Sequence, residues 1–350
     1  MNSRIKKLQS KLAKLPLDGL LVTDPHNISY LADYKCRDGY LLVTPDHALY
    51  ITDGRYIQEM KRNLSGFRII DIKPSFSDVL ERLCKGSKIS RLGFEDTHMT
   101  HGFYRKLSHA LSARLVPRSG IIEAFREVKD AGEIGKIRSA TRIAVKAYGY
   151  IKDIIKPGIK EIELAGEIER FIRFEGASCA SFDIIVASGP NSALPHYQTG
   201  ERKLQAAEAV LIDMGVEYRG YKSDLTRVFF VGKINTLVNR VYGIVRSAQA
   251  KALAAIRPGT LISSIDRAAR GYISSSGFGK YFVHSLGHGV GIEVHEAPSI
   301  SAKVERVLRP GQVFTIEPGI YIPGKFGIRI EDMVLVTNKG CEVLSGSLNK

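Results

Sequence analysis

The chain carries an internal repeat, and this repeat constrains the fold more than any other feature of the sequence. Ile155-Lys156-Pro157-Gly158 reappears as Ile256-Arg257-Pro258-Gly259, an offset of 101 residues between the two prolines. Each copy follows a long amphipathic helix pattern, precedes a second one, and leads to a strand and a histidine-bearing loop, over 182–196 and 281–295. The sequence therefore predicts two helix–helix–hairpin halves arranged around one sheet.

Acidic residues fall at equivalent places in the two halves. The apolar strand 210–215 carries Asp213, and the similar segment 314–319 carries Glu317. After a glycine-containing turn, each half places a second acid, Asp224 or Glu331, on the next strand. Because a hairpin brings such positions together on paired strands, we expect four carboxylates to converge.

Four converging carboxylates repel one another unless a cation neutralises them. Two divalent ions would balance their charge, and His288, between Gly287 and Gly289, adds a nitrogen donor. This oxygen-rich set suits Mn²⁺ or Co²⁺ and tolerates Zn²⁺. A single acid at a strand end is usually a solvated cap. Five candidates in a duplicated pattern instead favour a two-metal centre.

The length of the chain and its element pattern indicate two domains in an α+β protein. A chain of 350 residues exceeds the usual size of one domain. The first 125 or so residues alternate helix and strand patterns without clustered metal ligands. An opening helix is predicted from Ile5, Leu8, Leu12 and Leu15, and a hairpin from 40–44 and 48–52.

The predicted boundary precedes a helix that begins with a capping box at Asp130 and Glu133. Its residues Ile134, Ile137, Ala144, Ala147 and Ile151 are predicted to face a core. A second helix places Ile162, Ala165, Ile168 and Ile172 on one face. The predicted domains are 1–127 and 128–350.

Composition bears on partners and on cellular location. The net charge of +15 would suit nucleic acid or acidic lipid, but Lys and Arg are spread along the chain without a nucleic-acid-binding motif. We therefore expect no specific nucleic-acid partner. The four cysteines are far apart and predict free thiols. No apolar stretch reaches the length of a membrane span, so the expectation is a cytoplasmic protein without a membrane partner.

Several segments around these acids resemble the metal site of the pita-bread metallopeptidases, which include methionine aminopeptidase, aminopeptidase P, prolidase and creatinase. The resemblance is carried by Ile212-Asp213, Ser223-Asp224-Leu225-Thr226-Arg227, His284-Ser285-Leu286-Gly287-His288-Gly289-Val290-Gly291, Thr315-Ile316-Glu317-Pro318-Gly319 and Gly327-Ile328-Arg329-Ile330-Glu331-Asp332. The segments 188–196 and 294–298 are similar to the Xaa-Pro-specific branch. Asn27-Ile28-Ser29-Tyr30-Leu31 and Asp53-Gly54-Arg55-Tyr56 resemble the creatinase-like N-terminal domain of that branch.

The resemblance implies a role for each site residue. Asp213 would bind one metal ion, His288 and Glu317 the other, and Asp224 and Glu331 both. Glu317 would also carry the proton of the attacking water. His196 and His295 would hold the substrate and stabilise the oxyanion. Arg329 is expected to orient the carboxylates, and it is also a candidate substrate contact.

The resemblance also implies a substrate class, namely short peptides with proline at the second position. It does not separate an aminopeptidase that accepts longer peptides from a strict Xaa-Pro dipeptidase, although it leans slightly toward the aminopeptidase. A metal-free, creatinase-like amidinohydrolase and a non-catalytic binding protein on the same fold are the remaining alternatives. Both would be expected to lose ligands that this chain retains. A homodimer is also expected.

Overall fold

The computed structural model describes residues 2–348 and divides into two units, Met1–Phe125 and Arg126–Lys350. Within the described residues, the helices are all too short or too polar to cross a membrane.

The first unit is built on a six-stranded mixed sheet with the strand order β4-β3-β2-β1-β5-β6. Its strands are β1 (Gly19–Val22), β2 (Tyr40–Val43), β3 (Ala48–Thr52), β4 (Arg68–Asp71), β5 (Arg91–Glu95) and β6 (Arg114–Arg118). Its helices are α1 (Ser3–Leu12), α2 (Pro25–Ala32), α3 (Ile57–Asn63), α4 (Phe76–Gly86) and α5 (His101–Ala110), and the unit boundary falls within α6 (Glu123–Arg126).

The predicted hairpin in this unit is confirmed, whereas the predicted opening helix is too long. Strands β2 and β3 pair antiparallel, with Leu42 opposite Leu49. Ile5, Leu8 and Leu12 of α1 are buried as expected. Leu15 lies beyond the end of that helix and is only partly buried. The apolar spacing continued by chance into the turn before β1.

The second unit opens with the predicted capping box. The helix α7 (Ala131–Lys152) begins at Asp130, whose side chain accepts a hydrogen bond of 2.9 Å from the Glu133 N–H. The Glu133 carboxylate in turn accepts a 2.9 Å hydrogen bond from the Asp130 N–H, so two backbone donors at the start of the helix are satisfied. Ile137 and Ile151 are buried as predicted, whereas Ile134, in the first turn, is only partly buried.

The helix α8 (Glu161–Phe174) follows, and the second half of the repeat supplies α9 (Thr236–Ala255) and α10 (Ile262–Ser275). The prediction for α8 holds for Ala165, Ile168 and Ile172, which are buried. It is wrong for Ile162, which is 44% exposed and lines a cavity described below.

The described strands of this unit are divided among four hydrogen-bonded sheets. These are β11-β10-β7 (Tyr221–Lys222, Val216–Tyr218, Cys179–Ala180), β12-β9-β8 (Leu225–Val231, Glu208–Met214, Ile185–Ser188), β14-β13-β15-β18-β19 (Glu296–Ile300, Gly287–Gly289, Val313–Ile316, Asp332–Val336, Cys341–Val343) and β16-β17 (Gly319–Ile322, Phe326–Arg329). The divisions fall next to the acidic residues, where the ladder of backbone hydrogen bonds stops.

A buried polar side chain from the long helix of each half binds the backbone of the acid-bearing strands. The Tyr148 hydroxyl on α7 donates to the carbonyls of Ile212 and Leu225, at 2.9 and 2.6 Å. One repeat offset later, Gln249 on α9 donates to the carbonyls of Ile316 and Ile330, at 3.0 and 3.1 Å. Both halves thus fix the spacing of their two acids from the helix behind the strands.

Replacement of Gln249 by leucine is expected to lower the free energy of unfolding by about 2–3 kcal/mol, because two buried carbonyls lose their donor. Urea denaturation measures the effect. Asn239→Leu on the exposed face of the same helix is the control and should change stability by less than about 0.5 kcal/mol. Equal stability of the two variants would show that the Gln249 bonds contribute nothing to the fold.

Candidate metal centre

The acids of the first half lie where β9 and β12 meet. Asp213 is the penultimate residue of β9, and its backbone partner on β12 is Thr226. Asp224 immediately precedes β12, so it stands two residues from the position opposite Asp213. The two carboxylates are therefore diagonal neighbours, and not the directly opposed pair that a simple hairpin would give.

The acids of the second half lie where regular strand structure is interrupted. Glu317 separates β15 from β16, and Glu331 separates β17 from β18. Ile316 pairs with Asp332, and Gly319 pairs with Arg329, so both interruptions occur at the same level of the hairpin. A residue at such a break can turn its side chain into the centre without the alternation that a continuous strand imposes.

Three of the predicted ligands converge closely. Asp224, His288 and Glu331 each offer one donor atom, and these three atoms all lie within 4.8 Å of one another. The His288 Nε2 atom lies 3.5 Å from Asp224 Oδ2 and 3.3 Å from Glu317 Oε1. Asp213 lies outside the close trio and lines the same cavity as the other four.

The backbone next to His288 explains why glycine flanks it. A Cβ atom on Gly287 would lie 2.0 Å from the Thr315 carbonyl oxygen, and one on Gly289 would lie 2.2 Å from that of Ala297. Strand β13 can approach its two neighbours only without these side chains. The His288 N–H also donates to the Thr315 hydroxyl at 3.1 Å, which fixes the strand beside Glu317.

Burial and mutual repulsion shift the pKa values of the clustered carboxyl groups. Burial, followed by the charges of Glu331 and Asp213, raises the pKa of Asp224 well above its usual value. Burial and the charges of Glu317 and Asp213 likewise raise the pKa of Glu331. Burial would raise the pKa of Glu317 too, but its hydrogen bond to His288, together with the charges of His288, His284 and Arg329, outweighs this and leaves that pKa lowered.

These residues fit divalent metal ions. The donors are four carboxylates and one imidazole, the set that hard and borderline divalent cations prefer. The Asp213 Oδ1 atom is buried and accepts no hydrogen bond from the described residues, although its other oxygen is bound by Arg329. A buried, unpaired carboxylate oxygen is costly unless a cation or donor meets it.

Arg329 and two threonines hold the carboxylates from behind. The Arg329 guanidinium donates to Asp213 Oδ2 at 2.6 Å and to the Thr226 hydroxyl at 3.0 Å. Thr226 in turn donates to Glu331 at 2.8 Å, and Thr315 donates to Glu317 at 3.1 Å. Arg329 is only 4% exposed, so its side chain is committed to the carboxylates.

A cavity of about 730 Å³ opens above the cluster. Its lining includes the predicted substrate residues His196 and His295 together with His284. The His295 ring centroid lies 4.1 Å from that of His288. The His284 Nε2 atom lies 3.0 Å from the Tyr321 hydroxyl, which accepts a 2.7 Å bond from Arg329.

Sequence reasoning assigned no role to Thr226, Thr315, His284 or Tyr321. Each threonine lies two residues from a predicted ligand, Thr226 after Asp224 and Thr315 before Glu317, and this spacing is the signal that could have indicated them. His284 and Tyr321 meet at the cavity although they are 37 residues apart. No spacing in the sequence indicates that these two residues are in contact.

Comparisons with known proteins show what this chain is similar to. A model of metallopeptidase family M24 matches residues 135–338, and a model of the creatinase/prolidase N-terminal domain matches residues 4–128. An Xaa-Pro dipeptidase of Pyrococcus horikoshii is 37% identical over 99% of this chain and 97% of its own. The solved structure of an Xaa-Pro dipeptidase from Bacillus anthracis is 38% identical, with a TM-score of 0.96 over 99% of this chain and 98% of its own. That of an X-Pro aminopeptidase from Thermotoga maritima is 35% identical, with a TM-score of 0.90 over 96% of this chain and 97% of its own.

Asp224→Ala and Glu331→Ala are each expected to reduce bound metal to one ion or none, because each removes a carboxylate from the central trio. Metal analysis of the purified, Mn²⁺-loaded variants measures this. Asp183→Ala, an exposed acid that lines the same cavity, is the control and should retain the wild-type metal content. Two ions in either central variant would contradict a shared dinuclear centre.

Proposed function

We propose that this chain, which belongs to metallopeptidase family M24, hydrolyses the peptide bond before a proline at the second position of a short peptide, releasing the N-terminal residue. The convergence of Asp224, His288 and Glu331 beside Asp213 and Glu317 at the floor of one cavity carries this proposal. Relatives named as Xaa-Pro dipeptidases and an X-Pro aminopeptidase support the substrate class.

We assign the ligands of two divalent ions as the resemblance implies, with manganese as the first choice and cobalt or zinc as alternatives. Asp213 would hold one ion, His288 and Glu317 would hold the other, and Asp224 and Glu331 would contribute to both. The close approach of Asp224 and Glu331 to His288 supports their part in holding the same ion as His288. When bound, the ions lower the pKa of a water molecule and polarise the scissile carbonyl.

The remaining chemistry is assigned to side chains of the chain itself. Glu317 accepts the proton of the attacking water and passes it toward the proline nitrogen, which must be protonated to leave. His196 and His295 hold the substrate backbone and stabilise the oxyanion from the cavity wall. Arg329 keeps Asp213 and, through Thr226, Glu331 in place. Its guanidinium is already bound to Asp213, Thr226 and Tyr321, which argues against direct contact with substrate.

The charges that line the cavity favour an aminopeptidase over a strict dipeptidase. A dipeptide places its C-terminal carboxylate next to the scissile bond, and a strict dipeptidase would use a cation to select it. Among the described residues that line the cavity, Arg329 is the only lysine or arginine, and it is bound to Asp213. The cavity therefore supplies no uncommitted lysine or arginine for that carboxylate, and longer peptides should be accepted.

A strict Xaa-Pro dipeptidase is the second candidate. The names of the two dipeptidase relatives, which match nearly the whole chain, favour it. In that case one of the cavity histidines would have to bind the substrate carboxylate.

Three further properties of the chain are proposed, each from a separate observation. The domain boundary is placed between residues 127 and 128, which is supported by the limits of the two family models. The four free cysteines support a cytoplasmic location. A homodimer is proposed from the family resemblance alone.

The substrate proposal is tested with Mn²⁺-reconstituted protein on an Xaa-Pro dipeptide, its C-terminal amide, and a tripeptide with proline second. We expect kcat/KM values within about tenfold of one another, because no contact is assigned to the free carboxylate. An Xaa-Ala dipeptide is the control for proline specificity. Loss of more than about 100-fold on both the amide and the tripeptide would identify a strict dipeptidase.

His295→Ala is expected to keep both metal ions and to lose about 100-fold or more in kcat, because an oxyanion donor acts mainly in the transition state. Metal analysis and steady-state kinetics measure the two properties on the same preparation. Depletion of metal would instead identify His295 as a ligand.

A further inference from the structure

Two buried cations at the start of the second unit bind the residue that follows His295. Arg126 donates to Glu296 at 2.7 Å, and the Lys129 ammonium lies 2.8 Å from the other Glu296 oxygen. Their side chains are 2% and 0% exposed, and that of Glu296 is 7% exposed. Arg126 also donates to Glu293 at 2.5 Å. Two cations therefore face two carboxylates.

The segment that carries these cations is itself held in place. Glu127 is buried and accepts hydrogen bonds from Gln312 at 2.6 Å and from Arg306 at 3.1 Å. The Lys129 N–H donates to the Gly311 carbonyl at 2.9 Å. The segment 126–129 thus binds both Glu296 and the region 306–312. The second set of contacts fixes the backbone that carries the two cations.

The loop that carries His295 is fitted closely around Glu296. Glu296 begins strand β14, and its backbone partner is Gly289, one residue after His288. A Cβ atom on Gly291 would lie 2.3 Å from Glu296 Oε1, so the loop folds directly against this carboxylate. The position of Glu296 therefore sets the position of the loop and of the adjacent His295.

We propose that Arg126 and Lys129 are positioning residues that, by fixing Glu296, hold His295 at its place over the metal centre. The inference rests on the proposed function, in which His295 contacts the substrate. A buried ion cluster seldom adds stability over an apolar one of similar volume, but it fixes the geometry of its members. Such a cluster suits a loop that must keep a ring within ångströms of its working position.

A double-mutant cycle distinguishes positioning from general support of the fold. Lys129→Met should lower kcat by about tenfold or more while both metal ions are retained and KM changes less than about threefold. In the His295→Ala background, the same substitution should lower kcat by less than about twofold, because the group that it positions is already absent. Kinetics are measured at a temperature at which circular dichroism shows every variant folded.

Two further variants keep the inference testable if Lys129→Met does not fold. Gly291→Ala retains every charge but displaces the Glu296 carboxylate, so it should reproduce the loss of kcat and the absence of effect in the His295→Ala background. Lys129→Arg should restore most of the activity. Arg306→Met is the control, since it removes a cation that binds the same segment through Glu127 without touching Glu296, and its kcat should stay within about twofold of wild type.

Equal loss of kcat from Lys129→Met with and without His295 would overturn the inference, as would wild-type kcat in both Lys129→Met and Gly291→Ala. These results differ from a failure of the proposed function. In that case the Mn²⁺-loaded wild-type protein would not cleave Xaa-Pro peptides at all, and the cycle would have no starting rate.

Discussion

Mutual repulsion among buried carboxylates is the constraint on which the arrangement of the second unit depends. Asp224 and Glu331 are buried within a few ångströms of one another, and their pKa values are raised first by burial and then by neighbouring acids. A chain that buries such a group must provide both a rigid frame and compensating positive charge. The structure shows the frame and one source of positive charge, Arg329. The four carboxylates and His288 fit divalent ions, which would supply the remaining positive charge.

The frame joins the two halves of the repeat as well as the strands within each half. The Glu331 N–H donates to the Thr226 carbonyl at 3.1 Å, and Arg227 pairs with the buried Asp332 at 2.6 Å. Arg329 extends from the second half to Asp213 in the first. Each half contributes two acids, so neither half alone forms the centre. Duplication provided the acids in pairs, and the bonds between halves set the distances between pairs.

The two halves use different side chains for the same structural contact. Tyr148 and Gln249 occupy equivalent helical positions, and each donates hydrogen bonds to the carbonyls of two acid-bearing strands. A phenol provides one donor that two carbonyls share, whereas an amide nitrogen provides two donors, one for each carbonyl. Such substitutions preserve the geometry while removing most sequence identity, which is why the repeat is recognised from Pro-Gly turns and acids rather than from its helices.

Much of this architecture could be predicted from the sequence because it rests on local chemistry. The capping box at Asp130 and the β2–β3 hairpin depend on residues close in the chain, and both are present. The four acids were singled out by the repeat and His288 by its position between two glycines, and the structure brings all five residues to one cavity. Periodicity failed for Leu15, which continues an apolar spacing after its helix has ended, and for Ile162, which faces a cavity instead of the core.

What the sequence could not provide was the set of contacts between distant segments. His284 meets Tyr321, and Arg126 meets Glu296, across separations of 37 and 170 residues. Spacing rules describe neighbours on one helix or strand, so they are silent about both pairs. Glu296 is an example. In the sequence it is only a charged residue beside a histidine, whereas in the fold its carboxylate is buried and contacts two cations. A buried pairing of this kind leaves little freedom for the loop, because moving Glu296 would separate charges that water cannot reach. The candidate metal centre thus has charged contacts on two sides, from Arg329 to Asp213 and from Arg126 and Lys129 to Glu296 beside the histidine loop.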